Sequence, residues 1–295
     1  MKALLSIALL LTACSGKKAA DRDAAPQDGP LDPAAKAADL DKHCVAGDLE
    51  ACRRLGVVYL EGNDVTRDER RATALFQQAC AGKNLSACNY LALSLADGIG
   101  VDKSVPRAVE TFQKACDGGY KLACRNLGLL LRDGRGVPAD WPRAEALLDK
   151  ACHGTNPAPY ACTNAGDLDA VLAAKGTPQV HFKAMIGHYK DGCDAGDSVA
   201  CRQMGVAYLE GRGLPKSTAA ATVWLDRACG PAADPVGCRL LGLMKLQGVG
   251  LAQDVERGKQ LLQRACDAKD AEACAALAPT GSGSASGSGS GSGST

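Results

Sequence analysis

The 295-residue sequence predicts an all-α fold, an α/α solenoid of about six helix hairpins flanked by capping half-repeats. Cysteines fall in seven pairs, at 44/52, 80/88, 116/124, 152/162, 193/201, 229/238 and 266/274, and the first members are spaced 36, 36, 36, 41, 36 and 37 residues apart. A self-similar period of that length marks stacked supersecondary units. Within each period, an apolar stripe at helical spacing is interrupted once by glycines and once by a helix-capping residue.

The chain opens MKALLSIALLLTAC, with one cationic residue, an apolar run from Ala3 to Leu11 and then Leu-Thr-Ala-Cys. The run is too short to span a bilayer and predicts an export signal over 1–13. Its ending resembles the bacterial lipoprotein signal, in which the cysteine after the cut carries the lipid. Cys14 would then be the odd cysteine of fifteen. In that family an aspartate after the cysteine favours the inner membrane; Ser15 here implies the outer one. Residues 14–38 mix charge, alanine and proline with few large apolar side chains, as a flexible tether does.

The repeat body is expected over 39–278. Three residues past the second cysteine of a pair stand Leu55, Leu91, Leu127, Ala165, Met204 and Leu241, each followed by glycine or alanine, as in a first helix (helix A) packed close to its neighbour. Ten residues past the cysteine come Gly62, Gly98, Gly134, Gly211 and Gly248, expected to end that helix in the left-handed conformation. Asp68, Ser104, Asp140, Ser217 and Asp254 are expected to cap a second helix (helix B), with Pro106 and Pro142 in its first turn. Phe76, Phe112, Leu148, Tyr189, Leu225 and Leu262, four residues before the next pair, form its buried stripe. Repeat four is irregular: its pair is 152/162, Leu172 and Ala174 replace the turn glycines, and His181 occupies the capping position. Residues 279–295 are a glycine/serine tail.

The early "LG" of helix A, the turns "DGIGV", "DGRGV" and "EGRGL" and the alanine of helix B resemble the Sel-1-like repeat, an α/α relative of the tetratricopeptide repeat, and specifically its exported cysteine-rich branch. In that setting the first cysteine of a pair closes one hairpin and the second opens the next. The spacing suits neither a zinc knuckle nor convergence of two pairs on one ion. The expected arrangement is disulfides 44–52, 80–88, 116–124, 152–162, 193–201, 229–238 and 266–274, each closing a loop of about nine residues worth roughly 2.5 kcal/mol in the loop-entropy account. Such staples compensate for thin packing in a chain that is 4% aromatic.

Formal charge is +1, so no broad basic field gathers nucleic acid. Residues after each second cysteine, Arg53, Asn89, Arg125, Asn126, Asn164, Arg202, Gln203 and Arg239, are expected to form a ladder along the concave groove, suited to carboxylate and backbone groups of a peptide or protein. His181 and His188, two turns apart with Asp191 nearby, raise a metal site that is set aside in favour of a capping and a packing histidine. The single Ser-x-x-Lys, Ser15 to Lys18, lies in the tether, and no catalytic motif, resident metal or cofactor is expected. The expected product is a monomeric, lipid-anchored envelope adaptor for a protein or peptide. The resemblance also implies an alternative, since some cysteine-rich members are described as penicillin-binding or weak β-lactam hydrolases.

Overall fold

The computed structural model describes residues 33–62, 65–176, 178–231 and 233–278. Cys14, the export signal and the glycine/serine tail lie outside these residues. The chain begins with α1 (Pro33–Val45), which starts inside the stretch expected as tether. Six antiparallel hairpins follow: α2 (Leu49–Glu61) with α3 (Glu69–Ala81), α4 (Leu85–Asp97) with α5 (Val105–Asp117), α6 (Lys121–Asp133) with α7 (Trp141–Cys152), α8 (Ala161–Lys175) with α9 (Pro178–Asp194), α10 (Ser198–Glu210) with α11 (Thr218–Ala228), and α12 (Pro235–Gln247) with α13 (Val255–Asp267). A half-repeat, α14 (Ala271–Leu277), closes the stack. There is no strand among the described residues, and the architecture is an all-α repeat solenoid.

The caps act where the sequence places them. Gly62, Gly98, Gly134, Gly211 and Gly248 all have φ between 62° and 78° and end helices A in the left-handed region. Asp68, Asp140, Ser217 and Asp254 accept a hydrogen bond from the amide three residues on. Ser104 holds the capping position without a side-chain bond. In these five hairpins the amide of the capping residue also donates to the carbonyl seven residues past the second cysteine: Asp68 to Tyr59, Ser104 to Leu95, Asp140 to Leu131, Ser217 to Tyr208 and Asp254 to Lys245, at 2.8–3.0 Å. Every regular turn is thereby locked the same way.

Repeat four departs from this plan and corrects the expectation that His181 caps a helix. Without turn glycines, α8 runs on to Lys175. Its partner α9 begins at Pro178 and is 17 residues long, against 13 or fewer in the other B helices, so His181 lies inside the helix and caps nothing.

Helices A approach helices B closely because glycine sits at the crossing. A Cβ on Gly128 would stand 2.8 Å from Leu148 Cγ, and one on Gly166 would stand 2.5 Å from the Tyr189 ring. Phe76, Phe112, Leu127, Leu148, Leu225 and Leu262 are fully or almost fully buried by these approaches. Successive A helices also contact one another, which B helices do to a smaller extent, so the A series lines the inner side of the curve. Seven disulfides, Cys44–Cys52, Cys80–Cys88, Cys116–Cys124, Cys152–Cys162, Cys193–Cys201, Cys229–Cys238 and Cys266–Cys274, join each B helix to the next A helix with Cα atoms 4.6–4.7 Å apart. Seven bridges suit an oxidising, exported location. Among the described residues no helix is long and apolar enough to cross a membrane.

Candidate functional site

Two features of the stack carry polar chemistry: the ladder on the A helices and a histidine-carboxylate cluster in repeat four.

The ladder runs sideways, from one repeat to its neighbour. Arg53 is buried and bonds Glu50 of its own helix, whose other oxygen accepts from Asn84, the cap of α4. Asn126 donates to Asn89 at 2.9 Å, and Arg125 Nε donates to Asn164 at 2.7 Å. Further on, Arg202 Nε lies 2.7 Å from Asp234, the cap of α12. Arg239 reaches Asp270, the cap of α14, at 3.1 Å and Glu272 at 2.7 Å. Gln203 donates to Asp167 at 3.1 Å. The A-helix caps Asp234 and Asp270 are therefore the counterparts of Arg202 and Arg239, and the cap Asn84 joins the ladder through Glu50. Counting to the residue four places before the second cysteine finds these caps, as it finds Asp48 and Asp197, which cap their own helices.

This geometry narrows the set expected to meet a partner. Arg53, Asn89 and Arg125 are 3%, 2% and 5% exposed, and their polar groups are engaged inside the stack. At the same position, directly after the second cysteine, Arg202 and Arg239 are less deeply buried. Asn126, Asn164, Arg202, Gln203 and Arg239 keep part of their surface in water. Beside them, five residues past the second cysteine, Val57, Leu93, Leu129, Val206 and Leu243 form a row of half-buried aliphatic side chains, one per regular repeat.

In repeat four that position is Asp167, which accepts from Tyr189 Oη at 2.8 Å. Burial raises the Asp167 pKa above the usual carboxylate range, against the lowering effect of its Tyr189 and Gln203 hydrogen bonds. The Tyr189 phenol is pushed up by burial and by the same carboxylate.

The second feature gathers three of the chain's four histidines. Asp169, on α8, is fully buried. Its Oδ2 lies 2.7 Å from His188 Nδ1, and its Oδ1 lies 3.5 Å from His181 Nδ1. Helix α7 supplies two carboxylates one turn apart: Glu145, 3.8 Å from His181 Nδ1, and Asp149, 3.2 Å from His188 Nε2. Burial opposes charge on His188, but its bonds to Asp169 and Asp149 prevail and raise its pKa. His153 pairs with Asp191 at 3.3 Å at the edge. The sequence brings His181 and His188 together correctly by their seven-residue spacing, but not with Asp191; the residue between them is Asp169. Cys152, near His153 and His188, is committed to its disulfide and has no thiolate to offer a metal.

The Sel1 repeat pattern matches residues 49–84, 85–120, 121–156, 198–229 and 235–270, passing over the whole of α8 and α9. Among solved structures, a Sel1 repeat protein from Oxalobacter formigenes is similar at 22% identity and a TM-score of 0.63, covering 79% of this chain and 99% of that one. Immunity protein Pa5087 from Pseudomonas aeruginosa gives 17% identity and 0.46, over 75% and 82% of the two chains. The c5321 protective antigen of uropathogenic Escherichia coli gives 18% and 0.39, over 78% and 56%. No curated protein matches. With five matched repeats over more than half its length, stacked as hairpins, the chain belongs to the Sel1 repeat family.

Proposed function

We propose that this protein is a non-catalytic envelope adaptor that holds another protein or a peptide against the inner, helix A side of its solenoid, tethered to the outer membrane through lipid on Cys14. Sel1 repeats commonly mediate protein-protein interaction, which supports the class. The observation that carries the reading is the repeating row Val57, Leu93, Leu129, Val206 and Leu243, half-buried and flanked by Asn126, Asn164, Arg202, Gln203 and Arg239. A row of aliphatic contacts edged by amide and guanidinium groups offers an extended chain both apolar anchors and hydrogen bonds to its backbone and carboxylates.

The test places a photo-cross-linking residue at Leu93 or Leu129, on the inner side, and at Lys114 or Gln77, exposed on B helices. The proposal expects a discrete adduct from the inner positions and none from the outer ones, and its loss on Leu93→Glu with Leu129→Glu. Equal labelling from both faces overturns it. Turnover of a chromogenic β-lactam by the same preparation, freed of contaminating lactamase, would move the assignment to the hydrolase alternative. A lipid-modified Cys14 at the mature N-terminus, lost on Cys14→Ser, tests the anchor separately by mass spectrometry.

A further inference from the structure

The cluster in repeat four contains ligand atoms with nothing to bind. Asp169 Oδ1 and His181 Nδ1 are both buried, face each other at 3.5 Å, and make no hydrogen bond. A fully buried carboxylate oxygen left in this state costs free energy, and structures rarely keep one without a use. Glu145 Oε1 approaches the same nitrogen at 3.8 Å, and the three ligand atoms of Glu145, Asp169 and His181 all lie within 4.8 Å of one another.

Those distances have a chemical meaning. A tetrahedral divalent ion with nitrogen and oxygen ligands at about 2.0–2.2 Å requires its ligand atoms to be about 3.3–3.5 Å apart. The His181 to Asp169 and His181 to Glu145 separations are close to such edges, and a small rotamer shift of half-exposed Glu145 completes the third. The remaining Asp169 oxygen is held by His188 at 2.7 Å, and His188 is held in turn by Asp149. That is the outer support a metal-binding carboxylate needs to keep its orientation.

We propose that Glu145, Asp169 and His181 form a binding site for one zinc-like divalent transition cation, with His188 as a positioning residue for Asp169 and a fourth coordination position open to solvent on the Glu145 side. The site clamps helix B of repeat three to both helices of repeat four, where the turn glycines of the regular repeats are missing. It goes beyond the adaptor reading and does not depend on it.

The test titrates the metal-free, disulfide-intact full chain with Zn²⁺ against a chromogenic chelator, and with Co²⁺ by visible absorption. One equivalent is expected, with the tetrahedral cobalt band. His181→Ala and Glu145→Ala should each weaken binding at least tenfold, and His188→Gln by about 10–100-fold through the lost support of Asp169. His153→Ala and His43→Ala should leave it unchanged. Helicity by circular dichroism checks each variant, and half-exposed Glu145 decides the matter if His181→Ala fails to fold. Binding that is absent, survives Glu145→Ala and His181→Ala, or moves with His153→Ala overturns the proposal and leaves an ion pair only.

Discussion

The hairpin α6 to α7 and the hairpin α8 to α9 are neighbours in one stack and solve the same packing problem with opposite chemistry. Seven residues past the second cysteine, repeats two and three place Leu95 and Leu131, both buried, and the other regular repeats place the half-buried Tyr59, Tyr208 and Lys245; repeat four places the fully buried Asp169. Five residues before the next pair, repeats three and six place Leu147 and Leu261, both buried; repeat four places His188. Two leucine positions that would meet across a hairpin have become a carboxylate and an imidazole at 2.7 Å. The apolar core shows the consequence. Its largest cluster runs from Cys88 to Leu168, with Leu172 packed against it, and Met185 and Tyr189 belong to a separate one. A stack whose units hold one another only through neighbours is weakest where that continuity breaks. Against its neighbour, repeat four exchanges the buried pair Leu131 and Leu147 for a bonded polar pair, which accords with the proposed site.

The sharpest way to break the comparison is to convert one member of the pair and then both. His188→Leu strands a buried carboxylate and should cost about 3–5 kcal/mol in urea unfolding with disulfides intact. Asp169→Leu with His188→Leu rebuilds the leucine pair of repeat three and should recover most of that loss. If the double variant is as unstable as the single one, repeat four is not a polar version of repeat three.

The staples should behave alike in both regions. Cys116→Ser with Cys124→Ser opens a loop of sequence separation 8, and Cys152→Ser with Cys162→Ser one of 10. In the loop-entropy account, two extra residues change the effect by only about 0.2 kcal/mol, so each double variant should lose roughly 2.5 kcal/mol. A markedly larger loss for Cys152/Cys162 would show that the irregular hairpin leans on its bridge more than its neighbours do.

Much of this architecture was legible because it repeats. The period, the left-handed glycines at 62, 98, 134, 211 and 248 and four of the five side-chain caps of the B helices are local signals that recur along the chain, and a local signal needs no partner. The ladder was legible as a row and not as a direction. Arg202 and Arg239 meet Asp234 and Asp270, more than 30 residues on, and only the stacking geometry sets that register. Asp169 sits within "GDLDAVLAA", where nothing in the sequence flags a buried acid. Comparing it with Leu95 and Leu131 at the same distance from the cysteine is the step that exposes it.

Glycine at the helix crossing distinguishes the two hairpins by a smaller margin. Alanine at Gly128 meets Leu148, a side chain able to change rotamer, whereas alanine at Gly166 meets the Tyr189 ring at 2.5 Å, and that ring is anchored by its hydroxyl on Asp167. Gly166→Ala should cost about 2–3 kcal/mol and Gly128→Ala nearer 1 kcal/mol, measured as the difference in urea midpoints at constant slope. Repeat two already carries Ala92 at this position, fully buried, which shows that a regular hairpin adjusts to one methyl group.

The smallest expected effect is a pH dependence confined to repeat four. Burial raises the folded pKa of Asp167 above its unfolded value near 3.9, so its protonated form is the one the fold favours. Its contribution to stability is fully present below the unfolded value and is lost as pH rises through the raised folded value. Asp167→Asn, which keeps an oxygen for the Tyr189 hydroxyl and removes the titration, should flatten stability over that window by about 1 kcal/mol or less. Leu93→Asn and Leu129→Asn, at the same position in regular repeats, should lower stability without changing its slope against pH. An unchanged slope in Asp167→Asn would mean that water reaches this carboxylate, and that repeat four is looser around Tyr189 than its buried contacts indicate.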